Sequence, residues 1–405
     1  MRLLFVVQRY GEDVAGGAER ACREYASHLA SRGHEVSVAT SRARSYVDWA
    51  DEYPDGTTEI DGVAVRRFSV ARPRDGDGFA HLNARVLTAP HDVAPLLQRE
   101  WLRFQGPELP ELAPWLRKSA HEFDAVICFT YLYWPTWATL DAIAGSVPTL
   151  LHPLAHDEPS LALPLFDDEL FHRPDALVFL TEEEQDLVVE RFGTEQPAMV
   201  AGVGVDLDVV ADAAAFRARY RLGDRPYLVF VGRLDPGKGS DEIFDFFVAY
   251  KQRNPGPLAL VVVGEPVQPL APHPDVIATG FVDEATKSSS IAGALALVQP
   301  SYFESFSIVL VEAWAQGKPA LVQGHCAVLD GQARRSGGAI PYRGYAEFEV
   351  GLDMLLESPE LRTRLGMAGR NYAAERYEWP RLLARYEDFL GEIIDAQAEV
   401  RLRLR

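Results

Sequence analysis

Several kinds of residue are scarce in this chain, and each scarcity excludes something. Cysteine occurs three times in 405 residues, as Cys22, Cys128 and Cys326. An odd number of widely spaced cysteines supports neither a disulfide framework nor a zinc site, so reduced, buried thiols are expected. No apolar run approaches the roughly 18 residues of a membrane span. The apolar stretch at the N-terminus is five residues long, too short for the core of a signal peptide, and reads as a first β-strand in a cytoplasmic protein. Positive charge is also short. Against 59 Asp+Glu stand 40 Lys+Arg, a net of −19, which leaves no basic face for nucleic acid. Only five of those cations are lysines, so the position of each is informative. Finally, no G-x-G-x-x-G follows a strand, and a nicotinamide cofactor is not indicated.

The acid is unevenly spread. Residues 1–200 hold 18 Lys+Arg and 32 Asp+Glu, a net of −14, which leaves −5 for residues 201–405. The first half repels anions and the second is closer to neutral.

Short β-branched runs alternate with longer amphipathic segments, the pattern of βαβ units around parallel sheets. Strands are expected at 3–7, 36–39, 63–68, 125–129, 149–151 and 176–180, with helices at 18–31 and 182–192 among them. Gly33 suits a helix C-cap and Thr181 an N-cap. A second series runs through strands 227–231, 258–263, 294–298 and 320–322, with helices at 240–250, 284–292 and 305–315. Between the two series, 193–224 carries Gly202, Gly204 and a polar helical stretch and reads as a linker, and 345–405 reads as helical. The fold class is α/β, with domains at 1–200 and 201–375 and a C-terminal helix at 376–405.

Two motifs carry the chemistry. Gly232-Arg233-Leu234-Asp235-Pro236-Gly237-Lys238-Gly239-Ser240 lies between a strand and a helix. Arg233 and Lys238 place cations beside a helix N-terminus, whose free N–H groups already favour an anion, and Gly232 lets the backbone approach closely. A diphosphate fits that combination. The stretch nearly reads as a P-loop, but Gly239 stands where a Ser/Thr hydroxyl would bind magnesium, which disfavours nucleotide hydrolysis. The second motif runs from Pro300 to Ala313 and holds Glu304 and Glu312, an E-x7-E spacing. Eight residues of helix turn through roughly 800°, so the two carboxylates would not stack on one face. The reading adopted starts the helix at Ser305, with Glu304 in the preceding loop and Glu312 two turns in. The N–H groups of Phe306, Ser307 and Ile308 would then meet a phosphate, while the acids accept hydrogen bonds from sugar and ribose hydroxyls.

In the first half, Gly16 and Gly17 precede a helix and permit a close backbone approach. His152 and His156 follow a strand. Adjacent His156, Asp157 and Glu158 diverge too much to share a metal. The triplets Asp75/Asp77 and Asp206/Asp208 are expected by chance in so Asp-rich a chain and indicate no metal site. Tyr131-Leu132-Tyr133-Trp134 offers aromatic surface to an acceptor sugar, or simply a hydrophobic helix start.

The cation motif followed by E-x7-E resembles the donor domain of glycosyltransferase family 4. The likeness extends through Gly16-Gly17-Ala18-Glu19, His156, Gly317-Lys318-Pro319-Ala320 and the C-terminal helices. It implies a GT-B fold, two Rossmann-like domains facing across a cleft with a C-terminal helix crossing back. It also implies retention of anomeric configuration and no metal or resident cofactor. By the same resemblance Arg233 and Lys238 neutralise the leaving diphosphate, Glu304 holds donor-sugar hydroxyls, Glu312 the ribose, and His156 faces the donor sugar. Gly16, Gly17, Gly232, Phe281, Ser305, Phe306, Ser307 and Ile308 complete the expected donor set, with Glu19, Tyr133 and Trp134 on the acceptor side. Ser307 stands where many members have glycine. The expected reaction is transfer of a hexose-type sugar from a nucleotide diphosphate donor to an acceptor hydroxyl. A nucleotide-sugar epimerase or a non-catalytic nucleotide-sugar-binding protein is the alternative. The acidity of residues 1–200 favours a neutral or cationic small-molecule or glycan acceptor, and a homodimer is left open.

Overall fold

Continuous apolar runs build the strands, because a parallel sheet covered by helices on both faces has no polar side. The computed structural model describes residues 1–14, 16–232, 234, 238–264 and 272–404, with side chains to residue 399. It divides into two units: Met1–Val203 with Leu382–Arg405, and Gly204–Arg381.

The first unit carries β1 (Arg2–Val6), β2 (Glu35–Ser41), β3 (Gly56–Ile60), β4 (Val63–Phe68), β5 (Ala125–Phe129), β6 (Thr149–His152), β7 (Ala176–Phe179) and β8 (Ala198–Val200). Their order in the sheet is β3-β4-β2-β1-β5-β6-β7-β8. Only β3 runs antiparallel, paired with β4 at one edge. Central β1 is buried from Leu3 onward and sets Phe5 beside Val38 on β2 and Ile127 on β5. Thr181 caps the Glu182–Phe192 helix by accepting from the Glu184 N–H, which removes one unpaired donor from that terminus.

The Trp379–Leu404 helix contributes its residues from Leu382 onward to this first unit. Glu387 meets the Arg32 guanidinium at 2.7 Å and His34 Nε2 at 2.9 Å. Deeper in, the Tyr386 hydroxyl is 2.9 Å from His152 Nε2, and both residues are fully buried. His152 also stacks on Phe129 with ring centroids 4.2 Å apart.

The second unit carries β9 (Tyr227–Val231), β10 (Ala259–Val263), β11 (Val276–Gly280), β12 (Ala296–Gln299), β13 (Ala320–Gln323) and β14 (Ala339–Tyr342). All its pairs are parallel, in the order β11-β10-β9-β12-β13-β14. Phe230, Phe247, Val298 and Phe348 belong to its buried core. All three cysteines are buried free thiols, as expected. Among the described residues no helix is long and apolar enough to cross a membrane.

The linker reading of 193–224 needs correction. That stretch holds β8, paired in parallel with β7, ahead of the expected polar helical stretch, which is Ala213–Arg219 capped by Asp212. A three-residue strand at a sheet edge is too short to show a period. Edge strand β3, Gly-Thr-Thr-Glu-Ile, also escaped notice, because its side chains are mostly exposed and carry no apolar alternation.

Burial pushes the His152 imidazole down to about 3. The folded state therefore holds it neutral, while the unfolded chain protonates it near 6.5. His152 contributes its full stability above about pH 6.5 and loses it as pH falls toward 3, at up to about 1.4 kcal/mol per unit. Urea denaturation across that window should show this slope in the wild type and lack it in His152→Phe. Parallel pH profiles would refute the assignment.

Candidate functional site

Strands β9 and β12 are neighbours although far apart in the chain, with Leu228 opposite Ala296. The strand order changes direction there, and open α/β sheets hold ligands beyond the carboxyl ends of strands at such a point. Both motifs leave the sheet at this place: Gly232 follows β9, and Pro300 to Ser307 follow β12. Gly239 has φ 68, and a Cβ on it would collide with the Pro300 carbonyl oxygen. Only glycine lets the two loops come this close. The Ser240–Arg253 helix starts at the next residue.

The loops bring opposite charges together. Lys238 Nζ lies 2.8 Å from Glu304 Oε1, and the Glu304 side chain is 11% exposed. Buried Gln299, the last residue of β12, reaches the same Glu304 oxygen at 3.4 Å and donates to Ser307 Oγ at 2.7 Å. A second pair lies one helix over. Lys287 Nζ, from the Glu284–Ala292 helix, is 2.9 Å from Glu312 Oε1. Arg233 lies outside the described residues.

The helix of the second motif is Ile308–Ala315, so the expected start at Ser305 is corrected by three residues. The cause is Ser307, whose φ of 70 is left-handed and breaks the helical path before Ile308. Glu312 is therefore about one turn into the helix rather than two. Of the expected phosphate-facing N–H groups, those of Phe306 and Ser307 precede the helix and that of Ile308 opens it. The first-turn donors of this terminus are Ile308 and Val309, while the Leu310 N–H bonds the Ser307 carbonyl at 3.1 Å. Phe306 is a core residue, edge-on to Tyr377 at 5.0 Å, and its carbonyl accepts from Gln332. Ser305 is half-buried beside Glu304. Phe281, just after β11, is 70% exposed.

Other side chains brace these loops. Glu242, in the first turn of the Ser240–Arg253 helix, accepts from Tyr302 Oη at 2.6 Å and Gln323 Nε2 at 2.8 Å. That bond pushes the Tyr302 hydroxyl up to about 12. Burial pushes the Cys326 thiol up to about 11, which makes it an inert core group rather than a nucleophile.

In the first unit, β1 and β5 are the neighbours at which strand order changes. Exposed Gly16 and Gly17 follow β1 and open the Gly17–Ser31 helix. Glu19 turns inward. It is 6% exposed and takes Arg9 Nε at 2.8 Å, and a Cβ on Gly16 would collide with its carboxylate. Glu19 thus holds Arg9 beneath the glycine turn. Trp134 is buried at the start of the Trp134–Ile143 helix, and half-buried Tyr133 before it packs edge-on against Trp49 at 5.6 Å. His156 is half-buried in the loop after β6, with Nδ1 3.7 Å from Glu158 Oε1. Glu158 in turn accepts from the buried Tyr131 hydroxyl at 2.7 Å.

The residues that sequence reasoning missed are Lys287, Gln299 and Arg9. Lysine scarcity was the available signal for Lys287. Nothing local marked the other two.

Comparison with known proteins decides the family. The description "Glycosyl transferases group 1" matches residues 212–372, and "Glycosyl transferase 4-like domain" matches residues 16–204. A D-inositol 3-phosphate glycosyltransferase of Stackebrandtia nassauensis is 32% identical, covering 96% of this chain and 89% of the relative. The chain belongs to the group 1 glycosyltransferases, glycosyltransferase family 4. A second relative of the same name, from Kribbella flavida, is 31% identical over 90% of this chain and 88% of its own length. Among solved structures, Anabaena HepE in complex with UDP and glucose superposes with a TM-score of 0.71 at 15% identity, covering 97% of this chain and 100% of that one. That likeness is one of fold, and the fold is GT-B, each unit a Rossmann-like sheet flanked by helices. In this group 1 glycosyltransferase the left-handed Ser307 side chain is held by its bond from Gln299.

Replacing Ser307 separates strain from bonding. Ser307→Ala keeps the left-handed backbone and loses the Gln299 bond, so it should destabilise the protein by about 1–2 kcal/mol. Ser307→Gly loses the same bond but relieves the strain, and should melt close to the wild type. Thermal unfolding of both variants checks this, and a glycine variant weaker than the alanine variant would contradict it.

Proposed function

We propose that this glycosyltransferase moves a hexose-type sugar from a nucleotide diphosphate donor to an acceptor hydroxyl, with retention of anomeric configuration and without a metal. The observation that carries the reading is the junction of β9 and β12. There two lysines, two carboxylates and a helix N-terminus gather at the carboxyl ends of adjacent strands.

Each group has a task. Lys238 meets the charge that grows on the diphosphate as the glycosidic bond breaks, together with Arg233 and the N–H groups that open the Ile308–Ala315 helix. Fixed donors aimed at developing charge are usually the largest catalytic contribution. When Lys238 turns to the diphosphate, Glu304 is released from its ion pair and takes donor-sugar hydroxyls, while Gln299 keeps it in place. Glu312 takes the ribose, and exposed Phe281 is assigned to the donor set. No protein general base is assigned, since in the family the donor phosphate is thought to take the acceptor proton. The role of His156 toward the donor sugar rests on the family resemblance alone.

The relatives' names specify a phosphorylated polyol. For this chain we propose a neutral or cationic acceptor, because residues 1–200 carry a net −14 and repel a second anion. Three buried free thiols support a reducing, cytoplasmic setting.

Lys238→Ala should lower kcat/KM by about 2–3 kcal/mol of transition-state stabilisation, by analogy with the loss of an oxyanion donor. Steady-state kinetics on the best donor checks this. Turnover equal to the wild type would remove Lys238 from the mechanism and with it the diphosphate reading of the first motif.

A further inference from the structure

Lys287 is the second lysine of the donor unit to meet a motif carboxylate, yet it lies in neither motif. It sits in the first turn of the Glu284–Ala292 helix, which Asp283 caps by accepting from the Thr286 N–H at 2.7 Å. From there its ammonium reaches a different helix. Nζ is 2.9 Å from Glu312 Oε1 and 2.5 Å from Glu284 Oε2. The Lys287 and Glu312 side chains are only 10% and 13% exposed, whereas Glu284 is 67% exposed. The inner partner is thus a nearly buried pair joining two helices, and the outer one is a solvated charge.

Stability alone does not account for such a pair. Taking two charges out of water offsets most of their mutual attraction, and apolar replacements of buried pairs are often neutral or stabilising. The carboxylate stands just inside a helix terminus at the carboxyl edge of the sheet. There an ion pair fixes its direction. Lys251, the other buried lysine, differs in kind: it is tied to the Gly256 and Leu258 carbonyls of the turn after its own helix and to Asp275 just before β11, none of which belongs to either motif.

We propose that Lys287 is a positioning residue of the donor site. By holding Glu312 Oε1 it aims the carboxylate at the two ribose hydroxyls, and so sets the preference of the site for ribonucleotide over deoxyribonucleotide donors. This rests on the reading that Glu312 meets the ribose. A carboxylate clamped at one oxygen can accept from vicinal hydroxyls only in a narrow range of directions, whereas an unclamped one swings and accepts from water as readily. Loss of the clamp should therefore reduce discrimination between sugars more than it reduces affinity for the diphosphate.

The test uses the full chain and calorimetric titration with UDP, GDP and ADP, followed by the 2′-deoxy form of whichever binds best. Wild type should prefer the ribonucleotide by about 10–100-fold, the worth of one or two hydrogen bonds to a charged group. Lys287→Met should reduce that preference to within about threefold, with the loss falling on the ribonucleotide. Lys287→Gln, which is polar and of similar length, serves if the methionine variant does not unfold cooperatively, and the same loss is expected of it. Glu312→Gln is the control for the underlying reading. If Glu312→Gln loses the preference while the folded Lys287 variants keep it in full, the positioning role is overturned. If Glu312→Gln keeps the preference, the ribose assignment itself falls.

Discussion

Two carboxylates stand at the edge of a site proposed to receive a diphosphate, and the structure answers that conflict by giving each a lysine. Lys238 neutralises Glu304, and Lys287 neutralises Glu312. Without those cations the two acids would repel an anionic ligand. Much else at this end of the sheet serves the same arrangement. Gly239 permits the two loops to touch, Ser307 takes a left-handed turn that starts the helix at Ile308, and Gln299 reaches the same Glu304 oxygen as Lys238.

The charge distribution of the whole chain follows from this. A protein of net −19 can hold an anion only where cations are concentrated. The donor unit does so with few residues, setting Lys238 and Lys287 against its two motif carboxylates. In the first unit the corresponding place after β1 is organised differently. A buried Arg9–Glu19 pair supports the glycine turn from beneath, so the exposed backbone of Gly16 and Gly17, rather than a side chain, is what that turn presents.

Much of the fold was legible in the sequence. The strands Val63–Phe68, Ala125–Phe129 and Tyr227–Val231 and the helices Glu182–Phe192 and Glu284–Ala292 lie where hydrophobic period and capping place them. The short edge strands β3 and β8 were not, because half-exposed runs of three to five residues carry no period. In the site, the motif residues could be named from their order and type. The helix start could not, since nothing in Ser-Phe-Ser-Ile announces a left-handed serine. Nor could the pairing of Lys287, which lysine scarcity marked but whose partner is 25 residues away on another helix. Pairings of that kind arise only once the sheet has brought the elements together.

The central claim is transfer from a nucleotide diphosphate sugar with retention at the anomeric carbon. The most direct measurement is proton NMR of the product formed from a panel of UDP-, GDP- and ADP-sugars and acceptors, with a chelator present throughout. The account predicts a new glycoside whose anomeric proton keeps the donor's configuration. A product of inverted configuration, strict dependence on added metal, or donor isomerised with no acceptor consumed would contradict it.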